Sequence, residues 1–423
     1  MKDIEFDVLS SDAEKSVRQS ASALLDQLTG NGTSDDNLRK LIWPTIEGVD
    51  KNDVVLRLVP LNRLGADEGK SSASVFVAYF RPSGERWPSH PLIVKFAKPT
   101  RERDSCHKEY DDYQSVSNYI ALSPCGFATP LVCHKHGDSQ PFTVLWSPFA
   151  SAGGIWGVEA YQQTLNLRID DVWKGLTNNS KAVDEISNAL DKAFDYLWPL
   201  HHRGGTAGPS LKSVFGEYNR YLRKIDTADW SNHWRSCWGD ATVKTTQMFG
   251  IDWPNPFRVL KRISAIEIRM YCGGVHGDLH PKNIVFAQDG PRIIDFGWAD
   301  GDAHIAKDFV LMECNLRYVT LASAMPYSEI LKLSDWLGFD DHEPEFETEG
   351  LRHRVQLISQ VRSRAKKAFP TDTNWDNEYI IPMFIVAMGL LKHSDDFYSH
   401  ISTQLHVLQL ARYISEKVLP HHE

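Results

Sequence analysis

Residues 275–300 read V-H-G-D-L-H-P-K-N-I-V-F-A-Q-D-G-P-R-I-I-D-F-G-W-A-D. Two apolar runs, 284–286 and 292–294, flank Ala287-Gln288-Asp289-Gly290-Pro291. The pattern predicts a short β-hairpin. Its polar residues stand at the outer ends: Asp278 and Asn283 before the first strand, Asp295 after the second. A hairpin returns its chain, so three oxygen-bearing side chains are expected in front of one rigid element.

Phosphoryl transfer from a nucleotide uses such a set. A carboxylate orients or deprotonates the attacking hydroxyl, and oxygen ligands hold Mg²⁺ on the phosphates. Asp278 suits the first task, and Asn283 and Asp295 suit the second. The competing reading is an Asp-rich hairpin with solvated carboxylates.

The run H-G-D-L-H-P-K-N followed by I-I-D-F-G-W-A-D-G-D resembles the aminoglycoside phosphotransferase and choline kinase group of the protein-kinase-like superfamily. His276, Asp278, Asn283, Asp295, Phe296 and Gly297 stand in that group's order and spacing. The resemblance implies a structural role for His276. Protein kinases usually carry Lys two residues after the catalytic Asp, whereas this chain has His280, as the phosphotransferase group does. The segment with Glu109 and Tyr113, the loop itself and K-D-F-V-L-M-E (307–313) also resemble a bacterial kinase-like domain associated with ternary signalling complexes.

The 423 residues, 42% hydrophobic and 24% charged, suffice for a large core in two or three domains or lobes. A net charge of −9 argues against broad nucleic-acid binding. Six cysteines without a C-x-x-C pair make a zinc site unexpected and suit a reducing, cytoplasmic setting. The N-terminus lacks the basic and apolar regions of a signal peptide. The longest apolar run, 379–391, is too short for a bilayer and contains Pro382, so it reads as a buried helix and no membrane association is expected.

Residues 1–48 are expected to form a helical extension, packed on the first lobe or docking a protein partner. Ser11-Asp12-Ala13-Glu14 is a capping-box pattern, and Val17, Ala21, Leu24, Leu25 and Leu28 share one face. Residues 49–150 read as a small β-rich N-lobe. Between candidate strands 54–59 and 73–79 lies L-G-A-D-E-G-K-S-S-A-S. There Gly65, Gly69, Ser71, Ser72 and Ser74 are candidate phosphate-covering positions, though the loop is not a Walker A motif. Lys95 sits inside the apolar strand P-L-I-V-K-F-A, where an ammonium group requires a partner. Glu109 on the following helix is the expected partner, with Asp112 as the fallback. A second hairpin, 129–135 and 142–146, follows. The resemblance implies that 145–148 is a hinge, with Leu145 and Trp146 contacting the adenine, before a linker at 149–154.

Residues 151–423 read as a mainly helical C-lobe containing the catalytic loop 275–300. His201 and His202 close a helix and are assigned to structure. Trp230, Trp234, Trp238 and Trp253 are assigned to packing. Asp308, near the start of a helix, is expected to cap that helix's amides, and the resemblance implies that it braces the catalytic loop. Only a dozen residues separate Asp295 from Asp308, which leaves no room for a protein-kinase activation segment.

The expected whole is an α+β, bilobal protein kinase-like fold. The resemblance implies transfer of the γ-phosphate of ATP or GTP, with Mg²⁺, to a hydroxyl of an unidentified small molecule. The alternatives are a nucleotide-binding pseudokinase serving as an interaction module, or an atypical protein kinase. The sequence leaves the acceptor open.

Overall fold

The structure is a computed structural model that describes residues 3–6, 54–60, 74–82, 91–97, 106–136, 142–150, 170–178, 181–202, 208–227, 229–287, 289–322, 324–339, 341–391 and 400–421. The chain divides into two compact units. One holds residues 1–118, 124–171 and 285–299; the other holds 119–123, 172–284 and 300–423.

The first unit is built on a six-stranded sheet: β1 (Asp3–Phe6), β2 (Val54–Pro60), β3 (Ser74–Pro82), β4 (Leu92–Ala97), β5 (Val132–His136) and β6 (Phe142–Pro148), in the order β1-β2-β3-β4-β6-β5. β1 joins β2 in parallel, and every other pairing is antiparallel. Apolar residues drive the central strands inward: Phe76, Val77, Ala78, Val94, Val144, Leu145 and Trp146 are all buried. The helix Cys106–Ile120 follows β4. Its first residue is tied to the sheet twice. Cys106 N–H donates to Thr143 Oγ1 (3.0 Å), and its thiol donates to the carbonyl of Lys95 (3.5 Å). The helix expected at 11–28 and the glycine-serine loop at 65–72 lie outside the described residues.

The second unit is mostly helical, as expected, with strands beyond the expected hairpin. It contains β7 (Gly208–Ser213), a hairpin of β8 (Thr245–Met248) and β9 (Ile251–Pro254), and β10 (Glu267–Val275). The chain then forms the hairpin β11 (Ile284–Ala287) and β12 (Gly290–Ile293), most of which belongs to the first unit, and returns as β13 (Asp300–His304). A three-stranded antiparallel sheet has the order β13-β10-β7. β10 carries a period-two signal, with Ile268, Met270 and Cys272 buried between Glu267, Arg269 and Tyr271. Its partners G-P-S-L-K-S and D-G-D-A-H have no such pattern, so sequence periodicity passes over this sheet. The hairpin turn is also tighter than the five residues expected, because the strands close around residues 288–289.

The second unit is organised around buried helices. The run 379–391 is a buried helix as expected: Ile381–Leu390 follows a π-helical turn, Asp376–Ile380, and has Pro382 in its first turn. Trp234, Trp238 and Trp253 are core residues, with the rings of Trp234 and Trp238 centred 4.7 Å apart. Glu313 is fully buried. It accepts from Arg317 Nε (2.7 Å), Arg362 Nε (3.1 Å) and the hydroxyl of Tyr379 (2.7 Å). The guanidinium groups also donate to the carbonyls of Leu333, Trp336, Leu337 and Gly338, so every guanidinium nitrogen has an acceptor.

β10 passes the end of the helix Val183–His202 at very close range. A Cβ on Gly273 would lie 1.9 Å from the carbonyl oxygen of His201, and one on Gly274 would lie 2.4 Å from Leu200 Cδ1. The glycine pair therefore sets the distance between the strand that leads into residue 276 and the helix that carries His201. Gly273→Ala is expected to cost about 2 kcal/mol or more, read as a lower urea midpoint at unchanged slope. An unchanged midpoint would contradict this close packing.

Candidate active site

In the first unit the candidate residues are Lys95, Glu109 and Asp295. Lys95 lies in β4, in register with Val75 on β3 and Leu145 on β6. Its Nζ meets Glu109 Oε2 at 2.6 Å, and both side chains are largely buried. Glu109 sits in the first turn of its helix, where a carboxylate also complements the helix dipole. Asp112, the fallback partner, is engaged instead by Lys108 one turn earlier on the same helix. Burial works against the Lys95 ammonium, but the carboxylates of Glu109 and Asp295 outweigh it and hold the lysine pKa above its usual range.

Asp295 has φ +64°, in the left-handed region that a non-glycine residue rarely occupies. Two neighbours support this conformation. Gly297 N–H donates to Asp295 Oδ1 (3.3 Å), and Phe296 is completely buried, 5.6 Å from the Tyr113 ring and 6.0 Å from the Phe127 ring. Phe127 belongs to the segment that bridges to Ile293, where Ala128 N–H donates to the Ile293 carbonyl (2.9 Å). Phe296 is thus an anchor between the glutamate helix and β12, and Asp295 is the exposed residue beside it.

Leu145 and Trp146 lie in an interior strand, buried and paired with β4 on one side and β5 on the other. The β5 pairing ends at Trp146, whose carbonyl accepts from Leu131 N–H (2.7 Å). The strand edge beyond that pairing starts at Ser147. Ser74 begins β3, and Gly65, Gly69, Ser71 and Ser72 lie outside the described residues.

In the second unit the candidate residues lie in the loop after β10. Asp308 is completely buried and accepts from His276 N–H (3.0 Å), Gly277 N–H (2.8 Å) and His201 Nε2 (3.0 Å). It sits in the first turn of the helix Ala306–Cys314, but the residue capping that helix is Ile305, which makes no side-chain cap bond. The expectation that Asp308 caps its own helix is therefore corrected, whereas the brace that the resemblance implies is present: Asp308 accepts from amides 31 and 32 residues back, in the loop. Burial favours the neutral acid, but His201, His276 and the loop amides hold the Asp308 carboxyl below the ordinary carboxylate range. Gly277 has φ +78°, a conformation in which glycine carries no Cβ penalty.

Within the loop, Asn283 Nδ2 donates to the Asp278 carbonyl (2.9 Å), which fixes the amide and leaves Oδ1 as its acceptor. Asn283 is buried, whereas the Asp278 side chain keeps 31% exposure. Lys282 Nζ lies 4.8 Å from the centre of the Trp173 ring, a cation–π contact that holds the loop against the helix Val172–Asn178. A groove of about 420 Å³ elsewhere in this unit is lined by Phe215, Leu222, Phe257, Arg235 and Lys261, and no loop residue lines it.

His201 is the residue that sequence reasoning undervalued. It falls four residues after Leu197 and seven after Phe194 on the buried helix face, so its burial is readable from periodicity. Its carboxylate partner is 107 residues away and is not. His202 points elsewhere and stacks on Trp198, with ring centres 3.8 Å apart.

The element order of the first unit, an antiparallel sheet whose lysine strand is followed by a glutamate helix and a further hairpin, is that of the α+β kinase-like fold class. Residues 220–392 match the family model described as ternary complex associated domain 9. No curated protein sequence matches the chain. Solved structures similar to it include an amicoumacin kinase in complex with AMP-PNP, Ca²⁺ and amicoumacin (11% identity, 84% of this chain and 88% of that one, TM-score 0.41). Others are a glucosamine kinase in complex with glucosamine, ADP and inorganic phosphate (13%, 85% and 85%, 0.40) and a choline/ethanolamine kinase family protein from Mesorhizobium loti (11%, 91% and 97%, 0.37). Among the described residues, no helix is long and apolar enough to cross a membrane.

Asp308→Asn puts a neutral amide where two backbone N–H groups require an acceptor. A loss of about 2–4 kcal/mol is expected. Because the folded carboxyl is held low, its contribution is present above the unfolded value, about 4, and is lost as pH falls further. Denaturation of wild type and variant across pH should therefore give a stability gap that narrows below that value. A gap independent of pH would contradict an ionised Asp308.

Proposed function

We propose that this protein is a Mg²⁺-dependent phosphotransferase that moves the γ-phosphoryl group of ATP or GTP to a hydroxyl of a small molecule. The observation that carries the proposal is the buried Lys95–Glu109 ion pair at 2.6 Å, with Asp295 adding to the field that keeps the lysine charged. An ammonium group kept charged inside a strand is costly to the fold and suited to triphosphate oxygens. Asp278 then acts as the base that receives the proton of the acceptor hydroxyl. The glycine-serine positions 65–74 cover the phosphates, and the backbone near Leu145 and Trp146 meets the nucleobase.

Asn283 Oδ1 and the Asp295 carboxylate are the hard oxygen donors that would hold Mg²⁺, which asks few protein ligands because it retains water and binds phosphate. When bound, the metal would neutralise charge on the phosphate oxygens. Catalysis on this account is positioning and charge neutralisation.

A second reading is a nucleotide-binding module without turnover, acting through partner proteins in the cytoplasm. It draws on the description of the family matched by residues 220–392. The two readings separate on Asp278. Asp278→Asn should retain nucleotide binding and lose about 10²-fold or more in phosphoryl transfer, measured as nucleoside diphosphate release during an acceptor screen. Wild type that binds nucleotide tightly but never turns over supports the module; full activity in the variant contradicts the role of Asp278.

A further inference from the structure

We infer that His280 is a positioning residue for Asp278, its ring locked in one tautomer by the backbone of its own loop. Its role in turnover rests on the phosphotransfer reading above; its geometry does not.

His280 precedes the 3-10 turn Pro281–Asn283 and serves as its N-cap, in an extended conformation (φ −108°, ψ 164°). Its Nδ1 accepts from Lys282 N–H at 3.2 Å. A backbone N–H cannot donate to a ring nitrogen that already bears a proton, so Nδ1 holds a lone pair. The proton of the neutral ring is then on Nε2. Nε2 lies 3.9 Å from Asp278 Oδ2.

The backbone fixes this approach from both sides. His280 N–H donates to the Asp278 carbonyl (2.9 Å), and Asn283 N–H donates to the His280 carbonyl (2.9 Å). Asn283 Nδ2 donates to the same Asp278 carbonyl. Three residues of one tight loop thus set where the imidazole stands relative to the carboxylate. At 3.9 Å the contact is electrostatic rather than a hydrogen bond. Catalytic contacts of this kind are often long without substrate and tighten in the complex. An N–H beside Oδ2 restrains an otherwise half-open carboxylate and leaves Oδ1 for the acceptor hydroxyl.

A residue that only capped the turn would need Nδ1 alone, so the two ring nitrogens are tested separately. His280→Asn keeps a short acceptor for Lys282 N–H, in a residue type that caps well, and removes the donor beside Asp278. His280→Gln carries an amide N–H out to the Nε2 position and gives up the short acceptor. The Asn variant should keep the wild-type thermal midpoint and nucleotide affinity while kcat falls about 10-fold or more, with KM little changed. The Gln variant should keep most of kcat and show a lower midpoint. Full kcat in the Asn variant overturns the proposal.

The tautomer has its own readout. In the full chain labelled with ¹⁵N-histidine, the His280 resonances, identified by their loss in the Asn variant, should show Nε2 protonated and Nδ1 bare when the ring is neutral. An Nδ1–H tautomer overturns the proposal whatever the kinetics. Wild type without turnover but with the Nε2–H tautomer overturns the phosphotransfer reading and reduces His280 to a cap.

Discussion

The carboxylate of Asp308 is the constraint on which the loop after β10 depends. A charged group with no solvent exposure is tolerable only when its oxygens are fully engaged. Here they accept two consecutive loop amides and a buried histidine. Because the loop follows β10 directly, the same carboxylate ties three elements at one point: the strand's exit, the start of the helix Ala306–Cys314 and the end of the helix Val183–His202. The glycine pair 273–274 serves the same junction, since any side chain there would push the strand off His201 and Leu200. Stability and site geometry are therefore one problem in this unit. The residues that brace the loop are buried, and the Asp278 side chain is not.

The first unit follows a similar logic around a cation. Lys95 is held between β3 and β6, and its charge survives burial because Glu109 and Asp295 favour it. The glutamate helix is pinned at its first residue to the carbonyl of the same lysine and to Thr143. Its register is thereby fixed relative to the strand, which is what a 2.6 Å contact between two long side chains requires. Asp295 holds an unfavourable φ, and the buried Phe296 beside it supplies the packing that sustains the conformation.

Much of this was legible in the sequence, and the reasons for the rest are specific. Lys95 announced itself as a charge inside an apolar run, and Glu109 was readable from its position one turn before Tyr113. The strands β2 to β6 and the helix Val183–His202 carry strong periodicity, so their existence was clear and only their ends moved. The sheet of β13, β10 and β7 escaped because two of its strands have no hydrophobic alternation and gain their order from β10 alone. For Asp308 the motif resemblance points to the brace that is found, while local reasoning points to a cap, because an acidic residue in a first turn ordinarily caps that turn; only tertiary contact shows that its amides come from the loop. The structural assignment of His201 holds, and only its partner is illegible, because periodicity reports burial but not the identity of a distant partner.

The proposed function requires the loop residues and the lysine strand to serve a single metal–nucleotide complex. A crystal structure with a non-hydrolysable ATP analogue and Mg²⁺ tests it most directly. The account predicts Lys95 on the phosphates, the metal on Asn283 Oδ1 and Asp295, and Asp278 open to the acceptor side. Nucleotide bound with its phosphates away from Lys95, or a metal held by neither Asn283 nor Asp295, would contradict it.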